Sequence, residues 1–129
     1  LGQVEYLAKS LAALPAQKTG SKLMHINAEN ANFKNCVVSS DPPYYDNVPY
    51  ADLSDFFYVW LRHGLKNTYP EFYGTILVPK SDELVADHQR HKGKEAADKF
   101  FLNGMTNVMR NMASQAHSDF PTTIYYAFR

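Results

Sequence analysis

Hydrophobic positions along the chain change their period several times, and each change marks an element. Val4, Leu7, Ala8, Leu11 and Ala12 recur at helical spacing, and Pro15 with Gly20 closes that helix. Residues 23–27 form a short strand candidate, followed by a polar loop through Asn32. Cys36, Val37, Val38, Ser39 and Ser40 make a β-branched run that stops at Asp41-Pro42-Pro43. Neither proline can donate a ladder hydrogen bond, so the strand ends at this point. After a loop over 45–51, Asp52 is placed to cap a helix. Leu53, Phe56, Phe57, Trp60, Leu61 and Leu65 form one apolar face of that helix, a stripe expected in the core. The short apolar run 75–78 ends at Pro79, and residues 81–93 are polar and basic. A longer helix is expected over 94–116, with Ala97, Phe101, Met105, Val108, Met112 and Ala116 on one stripe. Residues 122–128 then read as a β-branched and aromatic strand after Pro121.

Strands separated by helical stretches predict α/β architecture, a mostly parallel sheet flanked by helices. The 129 residues suit one domain or part of a larger one. The chain starts at Leu1 within a helical pattern and stops at Arg129 within a strand pattern, so the expectation is a single fragment over 1–129.

Composition changes this picture in two places. The formal net charge is zero, whereas a self-sufficient nucleic-acid-binding domain carries a basic excess. If the chain meets DNA, most phosphate contacts are expected from elsewhere in the protein. Cys36 is the single cysteine, which excludes an intrachain disulfide and a cysteine-based zinc site and fits a reducing cytoplasm. His88 and His91 have no third ligand in view, so no metal is expected. No apolar run approaches the ~20 residues of a membrane span, and no membrane partner is expected.

The chemistry is concentrated at Asp41-Pro42-Pro43-Tyr44. Ligands of open α/β sheets bind at the carboxyl ends of strands, where this motif falls. It suits recognition of an exocyclic amino group on a planar base. Such a nitrogen is a poor nucleophile because its lone pair is delocalised into the ring. Two acceptors aimed at its N–H bonds favour a pyramidal nitrogen, freeing the lone pair to attack a methyl sulfonium. Asp41 offers a carboxylate, Pro42 a carbonyl on a backbone of fixed φ, and Tyr44 a stacking face. The gain comes from positioning and preorganised electrostatics rather than from a strong base.

The string from Ser40 to Asn47 and on through Tyr50-Ala51-Asp52-Leu53-Ser54-Asp55-Phe56-Phe57-Tyr58-Val59-Trp60-Leu61-Arg62 resembles a family of large adenine-specific DNA methylases from bacteria and archaea. The similarity continues through Glu83-Leu84-Val85-Ala86, Arg90-His91-Lys92-Gly93-Lys94-Glu95-Ala96, Phe100-Phe101 and Phe120-Pro121-Thr122-Thr123-Ile124-Tyr125-Tyr126-Ala127-Phe128. It covers about residues 36–129. The resemblance implies a partial Rossmann-like class I methyltransferase fold, S-adenosylmethionine as cofactor, and a target base flipped out of the duplex, because a paired and stacked amine cannot be reached. It assigns Asp41 and Pro42 to the amino group, Pro43 to stiffening the loop and Tyr44 to stacking. Cytosine N4 presents a similar amine and stays open as a target, as do RNA, a glutamine amide, and a non-catalytic module that retains the fold.

Around the motif, Tyr45, Asp46, Asn47 and Tyr50 are candidates for the base pocket. Tyr45 and Tyr50 could equally pack the loop, and Asp46 and Asn47 could simply form its turn. Arg90, Lys92 and Lys94 are candidates for phosphate contact, against the plainer reading of a solvated charge cluster. Tyr125 and Tyr126 read as strand packing. Asn27-Ala28 falls where such folds set an acidic or amide residue and an alanine against the cofactor adenine. The Gly-rich turn that cradles the methionine part of the cofactor is absent; the glycines are scattered singly. The chain therefore reads as the carboxyl-side, target-base part of a methyltransferase domain, with the rest of the same polypeptide as partner, and the fragment alone is expected to be inactive.

Overall fold

The computed structural model describes residues 2–14, 20, 22 and 24–127. Chain order is α1 (Gly2–Ala12), a single 3-10 turn at Ala28–Asn30, β1 (Ser39–Ser40), α2 (Tyr50–Leu65), α3 (Lys94–Gln115) and β2 (Thr123–Ile124). The two strands pair in parallel, Ser39 with Thr123 and Ser40 with Ile124. Hydrogen bonding extends beyond the strands themselves. The carbonyls of Cys36, Val38 and Ser40 accept from the amides of His117, Thr123 and Tyr125 in turn. Every second residue of 36–40 is thus bonded, the period of a strand. The connection between β1 and β2 carries both α2 and α3, so the parallel pair is joined by a helical crossover, as a parallel pair requires.

α3 follows its sequence pattern closely. Ala97, Phe101, Gly104 and Val108 are buried along it, and Met105 and Met112 are half-buried. Ala97, Phe101 and Ala86 form the core cluster, with Tyr45, Leu84 and Met105 packed against it. Gly93 opens the helix at φ 135° and ψ 162°, a conformation that only glycine takes without strain. The far end of α3 reaches the 3-10 turn, where Asn111 Nδ2 donates to the carbonyls of Ala28 and Ala31, both at 2.9 Å.

Three expectations are corrected here. α2 begins at Tyr50 with Pro49 as its N-cap residue, so Asp52 lies in the first turn and does not cap. Apart from Leu65, the stripe from Leu53 to Leu65 does not form the core: Phe56 is 69% exposed and Trp60 70%. α2 instead docks through Ala51, Asp55, Tyr58, Arg62 and Leu65, spaced alternately four and three apart, all buried or half-buried. Polar anchors decide this orientation. The Tyr58 hydroxyl donates to the Thr75 carbonyl at 3.0 Å, and Asp55 accepts from the Val78 amide at 2.9 Å. Residues 24–27 of the strand candidate are not a strand, and the apolar run 75–78 is irregular as well. A short apolar run becomes a strand only where it finds a partner edge, and neither run has one among the described residues. Leu23, Pro15 and Phe128 lie outside those residues.

Candidate functional site

Immediately after β1 the chain turns. The Asn47 amide donates to the Tyr44 carbonyl at 2.9 Å, and Tyr45 within this turn has φ 21°. The turn brings Asp41, Pro42, Pro43, Tyr44 and Tyr50 around one cleft of about 330 Å³. That volume sits at the small end of the range for ligand sites, about 300–1,000 Å³.

Inside the cleft, the Tyr44 hydroxyl donates to Asp41 Oδ1 at 2.7 Å. This bond, together with desolvation and the nearby Asp41 charge, raises the Tyr44 phenol above its ordinary value and keeps it a donor. Asp41 Oδ2 and the Pro42 carbonyl accept no hydrogen bond from the described residues. These are the two acceptors that recognition of an amine calls for. The Tyr44 ring is held edge-to-face by Tyr126, with centroids 5.4 Å apart. Tyr126 was expected only as strand packing. Its position two residues past Ile124 puts it beyond the end of β2, where it buttresses the stacking residue.

The remaining candidates separate. Tyr50 lines the cleft as the first residue of α2 and is 60% exposed. Tyr45 does not line it; its ring packs edge-to-face on Phe101 at 5.4 Å and its hydroxyl donates to Asp98. That bond is the first cause of a raised Tyr45 phenol pKa, with desolvation second. Asp46 and Asn47 are exposed residues of the turn.

Arg90 is not held open to solvent. Its Nη1 donates to Glu83 Oε2 at 2.7 Å, its Nη2 binds Asp52, and its Nε lies 3.3 Å from Asp87 Oδ2. The guanidinium is thus committed to carboxylates rather than free for phosphate. Lys92 and Lys94 are exposed and outside ion pairs among the described residues. Glu83 and Asp98, which organise the surroundings, were not candidates from sequence. Each also accepts a bond from more than thirty positions away, Glu83 from the Ala51 amide and Asp98 from the Tyr45 hydroxyl, and no local pattern reports such a contact.

Asn27 and Ala28 lie apart from the cleft. The Asn27 side chain accepts from the Glu29 amide at 2.9 Å and so caps the 3-10 turn. Ala28 borders a second hollow of about 380 Å³ between residues 36–40 and α3. No family model, curated protein or solved structure matches the chain.

Proposed function

We propose that the chain forms the target-base side of a Rossmann-like, S-adenosylmethionine-dependent amino-methyltransferase acting on adenine N6 of a flipped-out DNA nucleotide. One observation carries the reading. Asp41, Pro42, Pro43, Tyr44 and Tyr50 converge on a single cleft in which a carboxylate oxygen and a proline carbonyl both lack partners among the described residues. An aromatic amine placed there donates one N–H to Asp41 Oδ2 and the other to the Pro42 carbonyl. Its ring lies against Tyr44, whose own ring packs edge-to-face with Tyr126. Both hydrogen bonds favour a nitrogen whose lone pair points out of the ring plane. They strengthen as positive charge develops on that nitrogen, which is differential stabilisation of the transition state. Fixed proline φ angles keep the acceptors from reorganising during the step.

The residues present do not make a cofactor site by themselves. The second hollow has no carboxylate in its lining for ribose hydroxyls, Asn27 is spent as a cap, and no Gly-rich turn is in the sequence. On this reading the rest of a methyltransferase polypeptide holds the cofactor. Of the three basic candidates, Lys92 and Lys94 remain for phosphate contact, and DNA is the partner.

The test is transfer of labelled methyl from S-adenosylmethionine to DNA by the full-length protein. Wild type is expected to label DNA. Asp41→Ala is expected to lower the rate by at least the roughly 10²–10³-fold typical of losing a preorganised electrostatic contact. Digestion to nucleosides is expected to give N6-methyladenine; N4-methylcytosine would move the target, and full activity in Asp41→Ala would overturn the site.

A further inference from the structure

The cleft has two walls, and they come from different elements. One is the motif turn after β1; the other is Tyr50 at the start of α2. Between them Asp46 and Asn47 are exposed, while Tyr45, Val48 and Pro49 are half-buried. The spacing is set from outside, by residues 80–90. Glu83 Oε1 accepts from the Ala51 amide at 2.9 Å, next to Tyr50. This satisfies a helix-start donor that Pro49, with no side-chain cap, leaves open. Three residues further on, the Ala86 amide donates to the Tyr45 carbonyl at 2.8 Å, next to Tyr44. Val85 and Ala86 between and at these ties are buried. One short segment therefore grips both walls.

Arg90 holds this segment to α2. Its guanidinium joins Glu83, Asp52 on the first turn of α2, and Asp87, while its side chain is only 18% exposed. A planar fork with five donors can serve three carboxylates at once; a lysine ammonium has a single centre and cannot span them. Without that cation, Glu83, Asp52 and Asp87 would repel one another and release the Ala51 amide.

We propose that Arg90, acting through Glu83, is a positioning residue that fixes Tyr50 across the cleft from Asp41 and Tyr44, and so sets the aperture for a planar heterocyclic base. The inference rests on the amino-methyltransferase reading above. Arg90 itself touches no substrate. Its effect is to hold the second aromatic wall where the base must sit for its amine to reach Asp41 and Pro42. A displacement on the order of 1 Å there costs about 10²-fold in rate.

The experiment uses the full-length protein with Arg90→Lys and Glu83→Gln. Three quantities are read: steady-state methyl transfer to DNA, the salt dependence of DNA binding, and hydrogen exchange at the Ala51 amide. In both variants kcat is expected to fall on the order of 10–100-fold, with the KM for cofactor and the salt slope unchanged and exchange at Ala51 accelerated. A phosphate-contacting Arg90 would behave differently: Arg90→Ala would weaken DNA binding and reduce the salt slope by about one while kcat held. That result would overturn the proposal, as would unchanged kcat or unchanged exchange at Ala51 in both variants. If Arg90→Lys does not fold, Glu83→Gln, which keeps an oxygen for Ala51 and loses the ion pair, decides by the same readings. A wild-type protein that transfers no methyl group sinks both readings. An active wild type with a dead Asp41→Ala and a full-rate Arg90→Lys sinks this one alone.

Discussion

Tyr45 helps hold the site together without lining it. Its carbonyl accepts from Ala86, its hydroxyl donates to Asp98, and its ring meets Phe101, all while its φ is 21°. A positive φ is costly for a bulky side chain and survives only where contacts over-determine it. Removing one contact should therefore hurt less than removing all of them, even if the strain goes too. Tyr45→Phe, which loses the bond to Asp98, is expected to lower the melting temperature by a few degrees. Tyr45→Gly relieves the backbone but forfeits the ring and the hydroxyl, and is expected to lower it further. Thermal melts of both variants check this order. A glycine variant as stable as wild type would mean that the strain outweighs the anchoring.

At the scale of elements, what could be read from the sequence depended on whether an element is placed by apolar or by polar contacts. α3 was legible because Ala97, Phe101 and Val108 lie on one helical stripe and that stripe is buried. The strand ending at Asp41 was legible because two prolines cannot continue a ladder, and the cleft's own motif came with it. α2 was misread because its largest hydrophobics face outward while Tyr58 and Asp55 face in. Hydrophobic periodicity counts side-chain size and ignores whether a hydroxyl or carboxylate has a partner across the chain. Arg90 shows a related limit: Asp87 and Glu83 stand three and seven positions before it, yet sequence alone does not report that they close on its guanidinium together with Asp52 of α2. Tyr126 escaped because its contact with Tyr44 spans the whole crossover. The anchoring of α2 has a pH signature. Asp55 is held below the usual carboxylate range, first by its hydrogen bond from Lys80 at 2.6 Å and then by the Val78 amide. A carboxyl whose folded value is depressed stabilises the fold above its unfolded value, about 3.9, and loses that contribution as pH falls through the folded value. Asp55→Asn is therefore expected to lower the urea midpoint at neutral pH and to have progressively less effect as pH is taken below about 3.9. An equal effect throughout would show that the charge of Asp55 is not what anchors the helix.

For the whole molecule the decisive quantity is surface. The chain exposes 10798 Å² for a mass of 14.7 kDa, whereas a compact monomer of that mass exposes about 6,900 Å². Large apolar side chains contribute to the excess. Val4, Leu7 and Leu11 of α1 are exposed, as are Leu53, Phe56, Phe57, Trp60 and Leu61 of α2. The buried hydrophobics among the described residues reach no larger than Tyr58 and Phe101. A chain with so little interior leaves much apolar surface on which a hydrophobic dye can bind. Trp60 makes this measurable because it is the single tryptophan. In this chain its emission is expected to lie at the long wavelength of a solvated indole, to be readily quenched by acrylamide, and to shift little on adding denaturant. Trp60→Lys is expected to change stability by no more than about 0.5 kcal/mol, as surface substitutions do, and to reduce dye binding. Tyr58→Ala, on the opposite face of the same helix, is expected to cost about 3–5 kcal/mol in the manner of a buried aromatic. The two readings of α2 part at this pair. If Trp60→Lys unfolds the chain and its indole is shielded from quencher, the outward stripe is core after all. If Tyr58→Ala alone unfolds it, the polar-anchored face is the one on which the helix rests, and with it the position of Tyr50 at the cleft.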